Sequence, residues 1–165
     1  GMGTPSQNPN TWVSLTTDEL QVGAIYDWCL RDDCGAIVVF SGTVRDHAEH
    51  RTGVSLLEYE AYEEQVEPRL GLIVDEMRAC WPDVRRVALL HRIGGLSLKE
   101  SSVVVAVSSP HRPEAFEAAR FGIDTLKATI PIWKREVWDG GDDWGLASQE
   151  ISDVPSATNN PGGEK

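Results

Sequence analysis

The chain has 165 residues, with 15 Lys and Arg against 26 Asp and Glu, so its net charge is −11. A chain of this length buries about 70% of its extended surface and forms a core without a disulfide or metal staple. The acidic balance argues against an extended duplex-DNA or anionic-membrane footprint, because such surfaces favour clustered Lys and Arg. No apolar run approaches the ~18 residues that a membrane span needs. We expect a cytoplasmic protein that binds neither nucleic acid nor membrane.

The two ends of the chain differ in composition from its middle. Residues 1–13 are polar and weakly patterned, and Gly1 ahead of Met2 has the form of a protease-cleavage scar. Residues 152–165 are rich in Pro, Gly, Ser and Asn, which is typical of disordered segments. We therefore expect a disordered extension, one folded domain over residues 14–151, and a disordered tail.

The first half of this domain changes from helical to extended patterning. The Thr16–Glu19 pair has capping-box spacing ahead of an apolar helical face, which predicts a helix that ends near Gly35. The β-branched run Ala36–Phe40 is too short for a helix and predicts a buried strand, followed by a polar loop over Gly42–Gly53. Apolar and acidic residues alternate over Val54–Tyr62, which predicts a second strand.

The pattern then returns to helical spacing before two further strands. Apolar residues over Glu63–Cys80 predict a long amphipathic helix that stops before Pro82. The apolar runs Val84–His91 and Ser102–Ser109 flank a turn-like Ile93–Gly95 segment and predict a strand pair.

A last helix and strand complete the predicted order. Pro113 suits a first helical turn, and Pro131 prevents that helix from continuing. The last strand is predicted over Ile132–Trp138. The inward face of the helix would carry Phe116, Ala119, Ile123 and Leu126. The order α-β-β-α-β-β-α-β lacks strict β-α-β alternation, so we predict a single α+β domain with a mixed, largely antiparallel sheet packed with about three helices.

Positive charge concentrates in one part of this acidic chain. From His111 to Arg135 there are five Lys and Arg against three Asp and Glu, a local balance of +2. His111 and Arg112 precede the predicted helix start, where free backbone N–H groups and the helix dipole favour an anion such as phosphate. Arg45 follows the first strand, from which a guanidinium can be aimed at an oxyanion. This segment is the candidate anion-binding region.

Each candidate residue also has a purely structural explanation. Lys127, near a helix C-terminus, complements the helix dipole, an effect worth about 0.3–1 kcal/mol. Lys134 fits the solvated face of an alternating strand whose apolar side carries Trp133 and Val137. His91 lies on an apolar strand and fits a core or interface histidine. Taken singly, these residues define no site.

Signals for metal binding and thiol chemistry are weaker still. His47 and His50 have the spacing of a ligand pair, but an HxxH in a polar loop with no cysteine nearby is a weak signal. We predict no metal. The three cysteines, Cys29, Cys34 and Cys80, form neither an even set nor a CxxC pair, which suits free thiols in a reducing compartment.

Several segments, taken in order, resemble the catalytic large subunit of molybdopterin synthase. They are GAIVVFSGTVR (Gly35–Arg45), HRIG (His91–Gly94), SPHR (Ser109–Arg112) with Phe116–Ala118, and Leu126–Lys127 followed by PIWKRE (Pro131–Glu136). The resemblance runs from about Leu15 to Trp144. No single motif would suffice, but the ordered set is specific, and the PxWKRE segment after a Leu-Lys helix end is its most telling part. The resemblance implies an α/β hammerhead-like fold.

The resemblance also implies an activity and its partners. Enzymes of this family convert cyclic pyranopterin monophosphate into molybdopterin, with sulfur from a thiocarboxylate on the C-terminal Gly-Gly of a small ubiquitin-like subunit. It implies a homodimer within a heterotetramer, and no cofactor. Matched position by position, Lys127 and Lys134 are the active-site lysines and also bind substrate. The other implied substrate-binding residues are Thr43, Val44, Arg45, His111, Arg112, Arg135 and Glu136, and Phe40 borders the channel for the partner's tail. The resemblance further implies that the His-Arg pair reaches the pocket from the neighbouring protomer.

The implied chemistry suits these residue types. A thiocarboxylate is itself a sulfur nucleophile, so no cysteine is needed, and cations offset the repulsion between the phosphate and the partner's anionic tail. We expect Lys134 to act on the reacting carbon side chain of the pterin, as general acid or as an amine that forms a covalent adduct. Lys127 would orient the thiocarboxylate and move protons. Two other interpretations stay open: a module that binds phosphate or a ubiquitin-like tail without chemistry, and a Schiff-base lyase that uses Lys134.

Overall fold

The computed structural model of the protein describes residues 2–3, 8–48, 51–52, 54–138 and 141–144. In this part of the chain the helices are α1 (Val22–Cys29), α2 (Glu63–Cys80) and α3 (Arg112–Thr129). The strands are β1 (Thr11–Thr16), β2 (Ala36–Thr43), β3 (His47–Ala48), β4 (Arg51–Thr52), β5 (Val54–Ala61), β6 (Val87–Arg92), β7 (Gly94–Ser97), β8 (Ser101–Ser109), β9 (Ile132–Trp138) and β10 (Gly141–Trp144). None of these helices is long and apolar enough to cross a membrane.

The strands form two four-stranded sheets and one short pair. The first sheet has the order β1-β6-β8-β2, in which β1 runs parallel to β6 and the other neighbours are antiparallel. The second sheet, β10-β9-β5-β7, is antiparallel throughout, and β3 pairs with β4. The α+β class and the mixed, largely antiparallel pairing are confirmed, with the strands divided between two sheets.

Helices cover both faces of the first sheet. On one face α2 and α3 pack against alternate residues of β8, among them Val103 and Val105. On the other face α1 packs against the residues between them, such as Val104 and Ala106. Successive side chains of a strand point to opposite faces, so a strand covered on both sides is apolar at every position. This double burial explains the unbroken apolar run of β8.

The junction between the two sheets positions several of the candidate site residues. A small cluster of Val44, Leu57 and Leu96 holds the end of β2 against β5 and β7. The chain also passes from α3 into β9 through only two residues, Ile130 and Pro131. The end of β2, the end of α3 and the start of β9 therefore lie at the junction of the sheets.

Ordered structure begins earlier than the sequence predicts. Strand β1 begins at Thr11, so the prediction of disorder over residues 1–13 is wrong for the last three of them. The Arg78 guanidinium donates hydrogen bonds to the Asn10 carbonyl at 2.7 Å and to the Thr11 hydroxyl at 2.9 Å. These contacts are distant in sequence, and no local pattern reveals them. The expected domain end at residue 151 and the tail after it lie outside the described residues.

Helix α1 is shorter than predicted at both ends. Thr16 belongs to β1, and its hydroxyl accepts a hydrogen bond from the Asp18 N–H at 3.0 Å. The threonine therefore forms a local turn and does not cap a helix. The helix begins at Val22 and ends at Cys29, after which Leu30 has an extended conformation.

Short strands account for most of the other differences between the predicted and the observed secondary structure. Strand β2 continues through Gly42, the pair β3–β4 lies inside the expected loop, and β7 occupies the expected turn. Strand β6 begins at Val87 and not at Val84, which lies in the turn after α2. Strands of two to four residues are too short to show a hydrophobic period and depend on a neighbouring strand for their hydrogen bonds.

The long elements match the prediction more closely. Helix α2 and strand β9 have the predicted bounds. On α3, Ala119 and Leu126 are buried as predicted, but Phe116 is 62% exposed, so its inward assignment is wrong. In the first turns of α3 the buried positions are Ala115 and Ala118, which leaves Phe116 on the solvent side.

Candidate active site

A cavity of about 130 Å³ lies where the C-terminal end of α3 meets the two sheets. Lys127 lines it from the last turn of α3, and Lys134 lines it from β9. The rest of the lining includes Tyr59, His91, Ser102, Val103 and Trp133. The two lysines singled out from the sequence therefore share one cavity.

Alternation along β9 decides which of its side chains share a face with Lys134. Lys134 lies opposite Tyr59 of β5, and Glu136, two residues further on, belongs to the same face. Arg135 lies on the other face, opposite Glu58, and pairs with that carboxylate. The structure thus brings Lys134 and Glu136 to one side of β9, and it does not bring Arg135 to the cavity wall.

Lys127 stands at the mouth of the cavity beside other positive charges. Part of its side chain remains exposed to solvent, while its amine lies near enough to the wall to lose hydration. This partial burial lowers the pKa of Lys127, and the charges of Lys134 and Arg45 lower that pKa further. Arg45 itself is exposed and follows the end of β2. Three cations from separate elements therefore converge here.

Two uncharged rings form another part of the lining. His91 is 6% exposed, and its ring contacts that of Tyr59 edge-on at 5.2 Å between centroids. Burial lowers the pKa of His91 to about 4, the charge of Lys127 lowers it too, and a hydrogen bond to the Arg92 carbonyl opposes the shift. Burial also raises the pKa of the Tyr59 hydroxyl. Both rings are therefore neutral near pH 7.

His91 is a cavity residue that the sequence did not assign to the site. Its burial agrees with the core or interface role expected for it, but burial among apolar strands does not distinguish a core histidine from one at a cavity wall. The one feature of the sequence that pointed to a functional role for His91 was its position in the HRIG segment, which is part of the family resemblance.

The end of β2 adjoins the cavity through its pairing with the lining residue Val103, but no β2 residue lines the cavity itself. Gly42 pairs with Val103, and a Cβ atom at Gly42 would lie 2.8 Å from the Val103 Cγ1 and 3.6 Å from the Phe40 ring. Only glycine fits this close approach without displacing its neighbours. Phe40 is 37% exposed beside this contact, and Thr43 is exposed beyond it. Val44 is buried in the cluster between the sheets and does not line the cavity.

The other cationic pair lies at the opposite end of α3. His111 is the N-cap residue and Arg112 is the first helical residue, and both are exposed. They border a separate, open depression with Pro110. At a rise of 1.5 Å per residue, Arg112 lies about 22 Å along the helix from Lys127. Within one chain, the structure does not bring this pair to the lysine cavity.

The potential metal ligands and the cysteines form no further candidate site in the part of the chain that the structure describes. Within the described residues, no three His, Cys, Asp or Glu side chains are arranged to hold a metal ion. His50, half of the HxxH pair, lies outside those residues. All three cysteines are free, and burial raises the pKa of the Cys29 thiol to about 12. A thiol with so high a pKa is a poor nucleophile near neutral pH.

The arrangement defines a class of site: a small cavity in an α+β domain, lined by two amines and able to hold an anion. A lysine with a lowered pKa can exchange protons nearer to neutral pH than an ordinary lysine can. Neutral rings and partial exclusion of water strengthen the electrostatic interactions of the two amines.

Comparison with known proteins identifies the family. The sequence model of the MoaE protein family matches residues 15–129. Molybdopterin synthase catalytic subunit 1 of Aedes aegypti is 47% identical over 131 residues, which cover 79% of this chain and 84% of that protein. The molybdopterin synthase catalytic subunit of Taeniopygia guttata is 39% identical over 136 residues, 82% of this chain and 87% of that protein. The chain belongs to the MoaE family.

Solved structures agree with this assignment. The crystal structure of molybdopterin synthase from Staphylococcus aureus superposes with a TM-score of 0.74 at 36% identity, covering 79% of this chain and 94% of that one. A complex of subunits 1 and 2 of molybdopterin-converting factor from Helicobacter pylori superposes with a TM-score of 0.64 at 19% identity, covering 86% and 94%. The second likeness supports the fold alone.

Proposed function

We propose that the protein is the catalytic subunit of a molybdopterin synthase. It transfers sulfur from the C-terminal thiocarboxylate of a small ubiquitin-like subunit to cyclic pyranopterin monophosphate, and so builds the dithiolene of molybdopterin. The observation that carries this proposal is the shared cavity of Lys127 and Lys134 in a chain of the MoaE family. Its free cysteines suit a reducing compartment, and the proposed location is the cytoplasm.

The two lysines have different proposed roles. Lys134 acts on the reacting carbon side chain of the pterin, as a general acid or as an amine that forms a transient adduct. Lys127 orients the thiocarboxylate and moves protons, a role supported by its lowered pKa. The thiocarboxylate sulfur forms a C–S bond to a side-chain carbon of the pterin, and the C–O bond at that carbon breaks, with the leaving oxygen protonated by Lys134. Water then cleaves the acyl C–S bond, which leaves a carboxylate on the small subunit and sulfur on the pterin, and the cycle repeats once.

The substrate phosphate needs cations beyond the two lysines. Arg45 contributes from the end of β2, where its charge already acts on Lys127. His111 and Arg112 contribute from a second copy of the chain, because about 22 Å of helix separates Arg112 from Lys127 within one copy. This separation supports a homodimer with shared sites, and a small subunit bound at each end makes a heterotetramer.

The remaining site residues divide into direct and indirect contributors. Thr43, at the end of β2, and Glu136, on the same face of β9 as Lys134, contact the substrate although neither lines the cavity. Phe40 borders the channel for the partner's tail. Val44 and Arg135 act on substrate binding indirectly. Val44 anchors the end of β2 in the cluster between the sheets, and Arg135 fixes β9 to β5 through its pair with Glu58.

Reconstitution tests the proposal. The full chain is mixed with a thiocarboxylated small subunit and cyclic pyranopterin monophosphate, and the dithiolene product is measured. The matched control is the same small subunit with an ordinary C-terminal carboxylate. We expect product only with the thiocarboxylate. Absence of product with a small subunit that supports another molybdopterin synthase would contradict the proposal, and borohydride trapping of a simple carbonyl substrate would favour a Schiff-base lyase.

A further inference from the structure

A buried histidine that the proposed mechanism does not use lines the same cavity as the two candidate active-site lysines. His91 occupies the end of β6, paired with Val103 of β8 on one side and with Leu15 of β1 on the other. It is 6% exposed and lines the same cavity as Lys127 and Lys134. A polar ring in this position needs a reason, because an apolar residue would fill the same space without the cost of burying two nitrogens.

Hydrogen bonding fixes which ring nitrogen carries the proton. His91 Nδ1 lies 2.8 Å from the Arg92 carbonyl oxygen. A carbonyl oxygen only accepts hydrogen bonds, so in the neutral ring Nδ1 is the N–H donor and Nε2 carries the lone pair. The edge-on contact with Tyr59 fixes the plane of the ring. With Nδ1 turned to the backbone, Nε2 is the nitrogen that remains for the cavity.

The surroundings of the ring select its neutral form. The titratable groups that line the cavity with it are Tyr59 from β5, Lys127 from α3 and Lys134 from β9. The Glu136 carboxylate shares the Lys134 face of β9, and its charge acts on Tyr59. A proton on His91 would add a third positive charge to a cavity that already holds two amines. The Ser102 hydroxyl, which donates to the Gly42 carbonyl at 3.3 Å, has its proton engaged elsewhere. Nε2 is thus a neutral acceptor in a cavity that two lysine amines also line.

We propose that His91 is a positioning residue: its Nε2 accepts a hydrogen bond from the Lys127 amine and holds that amine in the cavity. The Lys127 side chain is partly exposed and has many accessible rotamers, so an acceptor is needed to select its inward conformation. A neutral imidazole accepts from an ammonium and from a free amine alike. The contact therefore persists while Lys127 gains and loses a proton.

Two substitutions separate this role from a structural one. The amide of His91→Asn reaches the place of Nδ1, so it keeps the bond to the Arg92 carbonyl and loses the acceptor in the cavity. The amide of His91→Gln reaches the place of Nε2 and keeps that acceptor. We expect His91→Asn to lower kcat about 10-fold with little change in KM, the loss of one hydrogen bond, and His91→Gln to restore most of the rate. A purely structural role predicts the reverse order, which would overturn the proposal.

The catalytic meaning of this inference rests on the proposed function. A lysine titration therefore supplies a second test, whose result does not depend on enzyme activity. The chain has four lysines, so ¹³C-labelled lysine yields a simple NMR spectrum, in which Lys127→Arg assigns the Lys127 signal. In His91→Asn that signal should titrate at a higher pH than in the wild type, because the amine is released to solvent and loses the burial that lowers its pKa. In His91→Gln it should stay near its wild-type behaviour. The same titration in all three proteins would overturn the proposal.

The wild-type chain gives a further check that requires no change at His91. Its ¹⁵N-histidine spectrum should show a neutral ring protonated at Nδ1, and the Nε2 signal should move in Lys127→Met. An Nε2-protonated ring would contradict the proposal. If the titrations agree but no sulfur transfer occurs, the proposed function fails and the positioning role stands. If transfer occurs and His91→Asn is as fast as wild type, the positioning role fails alone.

Discussion

The two ends of α3 carry similar cations in different environments. At the C-terminal end Lys127 adjoins a cavity, and partial burial and nearby cations lower its pKa. At the N-terminal end His111 and Arg112 are exposed on an open depression. The first environment can change the reactivity of an amine, and the second can bind an anion through free N–H groups and charge. One helix therefore presents an amine of lowered pKa at one end and an exposed cationic pair at the other, about 22 Å apart.

Replacing an active-site lysine should have the largest effect. Lys134→Ala removes the amine proposed to act on the pterin, and general acid catalysis contributes about 10²–10⁴-fold in rate. We expect a loss of this size in single-turnover sulfur transfer, with the circular dichroism spectrum and small-subunit binding unchanged. Arg120→Ala is a matched control, because it also removes one positive charge but from an exposed position on α3 paired with Asp124. Near-normal transfer by Lys134→Ala would refute the assignment.

The N-terminal end of α3 should affect binding more than chemistry. Arg112→Ala removes the proposed charge-assisted hydrogen bond to the phosphate, worth about 1.5–3 kcal/mol, so KM should rise about 10- to 150-fold. Mixing Arg112→Ala with Lys134→Ala chains tests whether the sites are shared. Random assortment makes about half of the dimers mixed. In each mixed dimer one of the two sites combines an intact Lys134 with the partner's intact Arg112. About a quarter of the wild-type rate should therefore return. No recovery in verified mixed dimers would rule out sites shared in this way.

The cavity should also make stability depend on pH. His91 has a folded pKa of about 4 against an ordinary value of 6.5. The unfolded chain therefore takes up a proton first as pH falls, and the free energy of unfolding decreases between pH 6.5 and about 4. From about pH 7 to about pH 5 wild type should lose roughly 2 kcal/mol more than His91→Gln, measured by urea denaturation. Equal losses in the two proteins would show that the ring is not held neutral.

The smallest effect is expected at the exposed face near the N-terminal end of α3. Phe116→Ala should change the free energy of unfolding of the isolated chain by less than about 0.5 kcal/mol, because the ring is 62% exposed. Phe121→Ala on the same helix is the contrast, since Phe121 is fully buried and its truncation should cost about 3–5 kcal/mol. Urea denaturation of both variants measures the difference. A large loss in Phe116→Ala would restore the inward assignment made from the sequence.

Long amphipathic segments could be predicted from the sequence, and short or non-local ones could not. Helix α2 and strand β9 follow from their periods, because each is long enough for the pattern to repeat. Strand β1 could not be predicted from its own pattern, because it is held by Arg78 and by pairing with β6, both far along the chain. The inward assignment of Phe116 was wrong because the small residues Ala115 and Ala118 form the buried side of the N-terminal part of α3.

The candidate site was predictable in its cations but not in its neutral groups. Lys127 and Lys134 stand out because the chain has four lysines, and the ordered motifs single out the same pair. The sequence could not show that Arg135 faces away toward Glu58, since a one-residue change of register exchanges the two faces of a strand. Nor could it show that His91 adjoins the amines, because its neighbours in the fold come from distant segments.

A crystal structure of the full chain with cyclic pyranopterin monophosphate and the small subunit tests the central claim most directly. The account predicts the pterin beside Lys127 and Lys134 of one copy, the partner's tail alongside Phe40, and the phosphate bonded to Arg112 of a second copy. A ligand bound away from the two lysines, or a phosphate held entirely by one copy with Arg112 of the other far from it, would contradict the account.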